Sequence, residues 1–344
     1  MASTAKTLTF VIPAYNMESY LDRCVNSLLS ASDISDLEVL IVDDGSKDGT
    51  LEYARKLERT NPGAVRAIHQ ENKGHGGAVN TGIAAASGMY VKVVDADDWV
   101  GPESLEQVMA VLRGEVGKDD PLDMLVTNYV YDKVGKRNKH VVNFRHAMEP
   151  GKRLTWDDLG HFGLTEYILM HALIYRTAVV RESKMQLPEH TFYVDFIYAY
   201  QPFPWVKSLQ YVDTPFYHYF IGRDGQSVQT DVMIRRVDQL RLVNQCMVRA
   251  TPERGTVPDG LYRYMIHFLA IESSVASVFM ILSRDHANYE KKKALWADIK
   301  AYSPTIYKDV RKKAMSRALN LHGSLGRFVI RKGYFVAEHV VGFN

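Results

Sequence analysis

The first third of the chain alternates apolar runs with stretches of helical spacing, and this alternation constrains the fold more than any other feature. LTFVIPAY (residues 8–15), LEVLIVDD (37–44), VRAIHQ (65–70) and MYVKVVDADDW (89–99) read as buried strands, the first broken by Pro13. Residues 19–30, 51–57, 76–86 and 102–112 read as helices; Asp48, Gly49 and Thr50 form one start signal and Pro102 another. Strand and helix in regular alternation predict an α/β fold, a Rossmann-like, mostly parallel sheet flanked by helices and joined by right-handed crossovers. Such sheets bind ligands beyond the carboxyl ends of their strands. Pro13, Ala14, Tyr15 and Asn16 end the first run, Asp43 and Asp44 the second, and Asp95 and Asp97 the fourth. Three sequence-distant polar clusters are therefore expected to meet in one crevice.

Beyond residue 115 the pattern loosens. Residues 123–132 and 139–146 read as strands around a turn at Gly135, 153–175 as short helices among aromatics, and 208–222 as an extended stretch broken at Pro215. From Val232 onward the spacing is helical, with breaks at Pro252, Pro258 and Pro304. A boundary near Gln229 follows, with residues 1–229 as one domain, in halves 1–115 and 116–229, and 230–344 as a C-terminal helical subdomain.

Composition removes several classes of function. A net charge of +2 over 344 residues provides no field for nucleic acid as a partner. Cys24 and Cys246 have no metal-ligand or redox spacing, and two cysteines in such a length fit a reducing compartment. The N-terminus reads straight into a strand without a signal-peptide pattern. The most apolar stretch, residues 268–282, carries Glu272 and several serines and reads as a buried helix rather than a membrane span. A cytoplasmic location is expected.

Asp95 and Asp97 lie two apart. If the chain is still extended there, both carboxylates face the same way and offer hard oxygen donors suited to Mg²⁺ or Mn²⁺. The alternative is a solvated loop leading to the helix at Pro102, with Asp98 in the capping role. Asp44 could meet a base or ribose edge, although Asp-Gly-Ser is also ordinary turn chemistry. The run NKGHGGAVNTG (residues 72–82) has the glycines for close backbone approach and amides for phosphate, with Lys73 and Gly74 at its start. His69, His75, His218 and His267 stand isolated; His218 alone is a candidate metal ligand. Asp195, set among aromatics in TFYVDFIYAY, is either a general base or the acid that opens a helix.

Together the runs TFVIPAYN, VLIVDDGSKDGT, ENKGHGGAVNTGIAAASG, VKVVDADDW, YVDFIYAY and YHYFIGRDGQSV resemble the family 2 glycosyltransferases of the GT-A fold, inverting enzymes of bacterial polysaccharide and glycoconjugate synthesis. The resemblance is close over the first 115 residues and returns in patches to about residue 230. It implies a nucleotide-sugar donor, a UDP-sugar, held by the first half, and an acceptor, a saccharide or lipid-linked sugar, met by residues 116–229. Pro13, Ala14, Tyr15, Asn16 and Glu18 would lie along the nucleotide, Asp44 on the uracil, Asp95 on the ribose with Ala96 beside it, and Asp97 on a Mn²⁺ or Mg²⁺ bridging the diphosphate. Asp195 matches the catalytic base, and Arg223, Gln226 and Ser227 a segment that closes over the donor.

Two departures stand out. Val194 replaces the acid that commonly precedes the base. Val79 replaces the arginine that often precedes Asn80, leaving Lys73 as the substitute cation. The implied reaction is a single displacement in which Asp195 deprotonates the acceptor hydroxyl. A non-catalytic nucleotide-sugar-binding module and a nucleotidyltransferase are the alternatives; the latter usually carries a glycine-rich loop where this chain has PAYNME. Basic groups at residues 291–293, 311–313 and 331–332 flank apolar helical stretches and suggest either a solvated face or a peripheral contact with the inner face of a membrane.

Overall fold

The computed structural model of the protein describes residues 6–133, 139–222, 229–321 and 323–337. It divides into two compact units. The first comprises residues up to Gly160, Ile168–Val194 and Trp205–Ile221; the second takes His161–Tyr167, Asp195–Pro204 and the chain from Gly222 onward.

The first unit is a sheet with helices. In chain order its elements are β1 (Leu8–Ala14), α1 (Glu18–Leu28), β2 (Leu37–Asp44), α2 (Thr50–Thr60), β3 (Val65–Gln70), α3 (Gly74–Ala85), β4 (Tyr90–Val93), β5 (Trp99–Val100) and α4 (Pro102–Arg113). There follow β6 (Met124–Lys133), β7 (His140–Val142), β8 (Arg153–Leu154), β9 (Leu173–Arg176), α5 (Thr177–Glu182) and, across Asp195–Pro204, β10 (Leu209–Ile221). The strands order as β3-β2-β1-β4-β9-β6-β10-β5, with β7 on β6 and β8 on β10. The β3-β2-β1-β4 half is parallel throughout, as the alternating pattern predicts. β9 runs antiparallel between β4 and β6, and β6 pairs with β10 in parallel.

Three expectations are corrected. β1 continues through Pro13 to Ala14. Odd-numbered residues of β1 face β4, since the Val11 carbonyl accepts from Val94 N at 2.9 Å, and β4 pairs no further than Val11↔Val93. The donor that proline lacks would have had no partner on that side. The long fourth strand is two short ones, because residues 94–98 leave the sheet. β10 runs through Pro215 unbroken and absorbs it as two register shifts against β6.

The core explains the tyrosine content. Tyr90, Tyr175, Tyr211 and Tyr217 of the first unit and Tyr198 and Tyr200 of the second are among the largest fully buried side chains. Burying a phenol requires a partner for its hydroxyl; Tyr90 donates to Leu122 O at 3.0 Å and Tyr211 to Asn128 Oδ1 at 2.6 Å.

The second unit is helical, with α6 (Asp195–Tyr200), α7 (Thr230–Arg235), α8 (Val237–Ala250), α9 (Asp259–Leu282), α10 (His286–Tyr302), α11 (Pro304–Lys312), α12 (Ala314–Leu319) and α13 (Gly323–Ala337). The proline breaks fall where the sequence puts them: Pro258 precedes α9, and Pro304 opens α11 under the Ser303 cap. α9 is long and apolar enough to cross a membrane by length and composition, yet 78% of its most apolar window is buried within the protein. It is the core helix that the others pack around. Phe268 on it meets Tyr167, Phe196, Tyr200, Phe203 and Tyr264 with ring centroids 4.7–6.5 Å apart.

Candidate functional site

Strand order reverses at β1: β2 and β3 lie to one side of it and β4 to the other. A crevice opens beyond the carboxyl ends of strands at such a switch point. On the β1 side Tyr15 is exposed, and Asn16 takes a left-handed φ of 54°, which asparagine tolerates. Asn16 N donates to Ser46 Oγ at 3.0 Å, while its Oδ1 accepts from Lys47 N at 2.9 Å. Glu18 accepts from Gly49 N at 3.1 Å, and a Cβ on Gly49 would lie 2.5 Å from that carboxylate. Asn16 and Glu18 therefore brace the loop after β2, and the Tyr15 ring stays open to a ligand.

At the end of β2 the two aspartates divide their work. Asp43 is fully buried, bonded to His69 Nδ1 at 2.6 Å and to Ser46 N at 3.3 Å. Asp44 Oδ1 accepts from Gln70 Nε2 at 2.6 Å and Lys73 N at 2.8 Å. Among the described residues nothing bonds Asp44 Oδ2, which leaves one oxygen for a ligand.

The glycine-rich run serves chain packing. A Cβ on Gly74 would lie 2.8 Å from His190 N, on Gly76 2.5 Å from Pro188 O, and on Gly82 2.1 Å from Val11 Cγ1. The close approach expected for a ligand is made by the protein's own backbone. Asn80 joins in: its amide donates to Leu187 O at 2.9 Å and accepts from Leu187 N at 3.0 Å. Lys73 is exposed, with Nζ 3.9 Å from Glu189.

After β4 the chain turns instead of staying extended. Asp98 N donates to Asp95 O at 2.9 Å, so a turn, not strand alternation, gathers Asp95, Asp97 and Asp98. Arg23 holds that turn by donating to Asp97 O at 2.6 Å, its guanidinium stacked 3.9 Å above the Trp99 ring. Asp98 does not cap α4, whose N-cap is Gly101. It is fully buried and accepts from Tyr217 OH at 2.5 Å and Phe220 N at 2.8 Å, tying the turn to β10. Burial first, then the neighbouring charges of Asp97 and Asp95, pushes its carboxyl well above the usual range. Asp95 accepts from His75 Nε2 at 2.8 Å, so His75 is not the isolated histidine it looks in sequence.

A second histidine completes the cluster. One oxygen each of Asp95 and Asp98 and one ring nitrogen of His171 lie within 4.8 Å of one another. His171 is 5% exposed, and burial lowers its pKa to about 4, so the ring is neutral at physiological pH. Among the described residues its Nδ1 has no hydrogen-bond partner. The donor set fits a divalent cation: hard carboxylate oxygens with one neutral imidazole. Beneath it Lys92 is fully buried and donates to the carbonyls of His171, Leu173 and Met170 at 2.8, 3.1 and 3.4 Å. Burial lowers its pKa to about 7. Sequence spacing signalled neither residue, since His171 lies about 75 positions from the aspartates it meets.

Residues 9–176 match the family model described as Glycosyl transferase family 2. The chain carries a family 2 glycosyltransferase domain. EpsH of Bacillus subtilis (strain 168), named as a candidate glycosyltransferase, is 27% identical over 225 residues, 62% of this chain and 60% of EpsH. The chondroitin synthase of Escherichia coli is 40% identical over 109 residues, 32% of this chain and 16% of that one. The chain thus matches less than two thirds of the length of these relatives. Among solved structures, residues 1–349 of S. aureus TarS in complex with UDP-GlcNAc superpose with a TM-score of 0.66 at 20% identity, covering 95% of this chain and 92% of that one. That likeness establishes the GT-A fold.

The remaining expected site residues of this glycosyltransferase domain and the helical unit fall as follows. Pro13, Ala14 and Ala96 are buried around the crevice. His218 is paired with Asp132 at 3.3 Å and stacked on Trp99 with centroids 5.3 Å apart, whereas the histidine grouped with Asp95 and Asp98 is His171. Burial lowers the His218 pKa. Asp195 opens α6 in the second unit, half-buried, two residues after Tyr193, whose φ of 65° is uncommon for a bulky residue. Val194 before it is buried. Arg223, Gln226 and Ser227 lie outside the described residues.

Proposed function

We propose that this protein is a metal-dependent, inverting glycosyltransferase that moves a sugar from a UDP-sugar to an acceptor hydroxyl. The observation that carries the reading is the gathering of Asp95, Asp97 and Asp98 in one turn at the switch point of the sheet, on the same sheet edge as Asp44, whose Oδ2 has no bond among the described residues. UDP as the nucleotide is supported by the UDP-GlcNAc complex of TarS. In this reading Tyr15 lies on the uracil, Asp44 Oδ2 accepts from it, and Asp95 meets the ribose. Mn²⁺ or Mg²⁺, held by Asp97 and Asp95, would supply Lewis-acid neutralisation of the charge on the departing diphosphate. Asp195 takes the proton of the acceptor hydroxyl, whose oxygen attacks the anomeric carbon as the bond to the diphosphate breaks, and no protein nucleophile is needed. Lys73, exposed at the start of α3, is the cation available to the diphosphate in place of the missing arginine.

A screen for UDP release over several UDP-sugars, with and without Mn²⁺ or Mg²⁺, tests this. The expected result is metal-dependent release with a single preferred donor. Asp195→Ala is expected to lower turnover about 10²- to 10⁴-fold while sparing donor binding; release at the wild-type rate would sink the base assignment. No release with any donor, alongside calorimetric binding of UDP, would favour the non-catalytic binding module that Val194 allows.

The acceptor is a saccharide or lipid-linked sugar in cell-surface polysaccharide or glycoconjugate synthesis, and the location is cytoplasmic, at the inner face of the membrane. Supporting this, Phe328 and Val329 on α13 are exposed near Arg327, Arg331 and Lys332, while Ile330 packs inward against Ile281 and Leu319. Exposed aromatics beside lysine and arginine suit an anionic lipid surface. Co-sedimentation with anionic vesicles at low salt is the check, and absence of binding would remove the membrane contact.

A further inference from the structure

Among the described residues, no hydrogen bond accounts for Nδ1 of the buried histidine beside the acidic turn. Its ring is packed against Tyr217, Tyr219 and Tyr129 with centroids 4.9, 4.5 and 5.6 Å away, which accounts for its burial but leaves Nδ1 without a partner among the described residues. An unpaired polar atom in such a setting destabilises the fold unless something binds it. Two other histidines near this region are engaged, His75 with Asp95 and His218 with Asp132.

We propose that His171 is a nitrogen ligand of the divalent cation, completing with Asp95 and Asp98 an oxygen, oxygen, nitrogen donor set that favours Mn²⁺ over Mg²⁺. This rests on the metal-dependent reading above, in which Asp95 and Asp97 hold the ion, and adds to them Asp98 and a ligand that the acidic motif does not contain. The observation behind it is the convergence of the three donor atoms within 4.8 Å. Imidazole is a poor ligand for Mg²⁺, which keeps an octahedral shell of oxygens, and a better one for transition metals. Lys92 is the positioning residue. Its ammonium grips the main-chain carbonyls of the turn that carries His171, and so fixes the ring against the aspartates from β4, the strand that leads into Asp95.

The test is pulsed electron paramagnetic resonance of Mn²⁺ bound to the full chain in the presence of UDP. Wild-type protein is expected to show ¹⁴N coupling from one imidazole. His171→Asn is expected to lose it and to bind Mn²⁺ about 10- to 100-fold more weakly, with a smaller change for Mg²⁺; His218→Asn keeps the coupling. Persistence of the coupling in a folded His171→Asn protein overturns the proposal. Should that variant fail to fold, the manganese anomalous peak in crystals of wild-type protein decides: a peak at bonding distance from a His171 nitrogen supports the assignment, and a peak ligated by oxygens alone overturns it. Wild-type protein that takes up no Mn²⁺ with UDP present would instead defeat the metal-dependent reading itself.

Discussion

The acids that end β2 and the acids that follow β4 look alike in sequence, yet they are built for different tasks. Asp43 is matched by a histidine and a backbone amide, and Asp44 by a glutamine and a backbone amide, so each acid at the end of β2 already has local donors. After β4, three aspartates crowd one turn, and the charges of Asp95 and Asp97 help push the Asp98 carboxyl upward. The difference teaches that a carboxylate becomes a candidate cation ligand through the like charges crowded around it. Negative charge gathered in one buried turn raises the free energy of the ion-free state, and a bound cation relieves it.

The largest expected effect that would break this comparison is in turnover. Asp97→Asn is expected to lower kcat about 10²- to 10³-fold through lost charge stabilisation, read as UDP release, with thermal stability unchanged or raised. An equal loss from Asp43→Asn would erase the distinction between the two strand ends. Next comes donor affinity. Asp44→Asn is expected to weaken UDP binding roughly tenfold, in line with about 1.5 kcal/mol for a hydrogen bond to a charged group, whereas Asp43→Asn leaves it near wild type; calorimetry separates the two. Asp43→Asn is instead expected to lower stability by about 1–3 kcal/mol by leaving buried partners unsatisfied, visible in a denaturant titration.

The smallest effect sharpens the account of the turn. Because the folded-state pKa of Asp98 is raised, the folded protein holds that proton more tightly than the unfolded chain does. Stability of the ion-free protein should therefore fall as pH rises from the ordinary carboxylate range through the raised value. Asp98→Asn should flatten that dependence in pH-resolved melting curves, and an unchanged slope would mean that another group dominates.

The parallel half of the sheet was legible because its signal is local. β2 and β3 have the predicted bounds to the residue, and the polar ends of β1, β2 and β4 sit at one edge of one sheet. Less legible was the chain just past β4, where apolar residues continue toward Trp99 but a hydrogen bond from Asp98 to Asp95 bends the backbone away. The glycines were read for ligand approach, and their contacts are with the 187–190 segment and β1, which no local pattern announces.

By itself the sequence determined the α/β class, the parallel direction of the first four strands and the acids at their ends, since hydrophobic period and turn chemistry act over a few residues. Tertiary structure alone decided which donors those acids meet. Tyr217 reaches Asp98 from 119 positions away, and Lys92 reaches the carbonyl of His171 from 79. A proton's affinity for a carboxylate, and an ion's for a pocket, depend on charges and dipoles within a few ångströms, and only the fold brings those together.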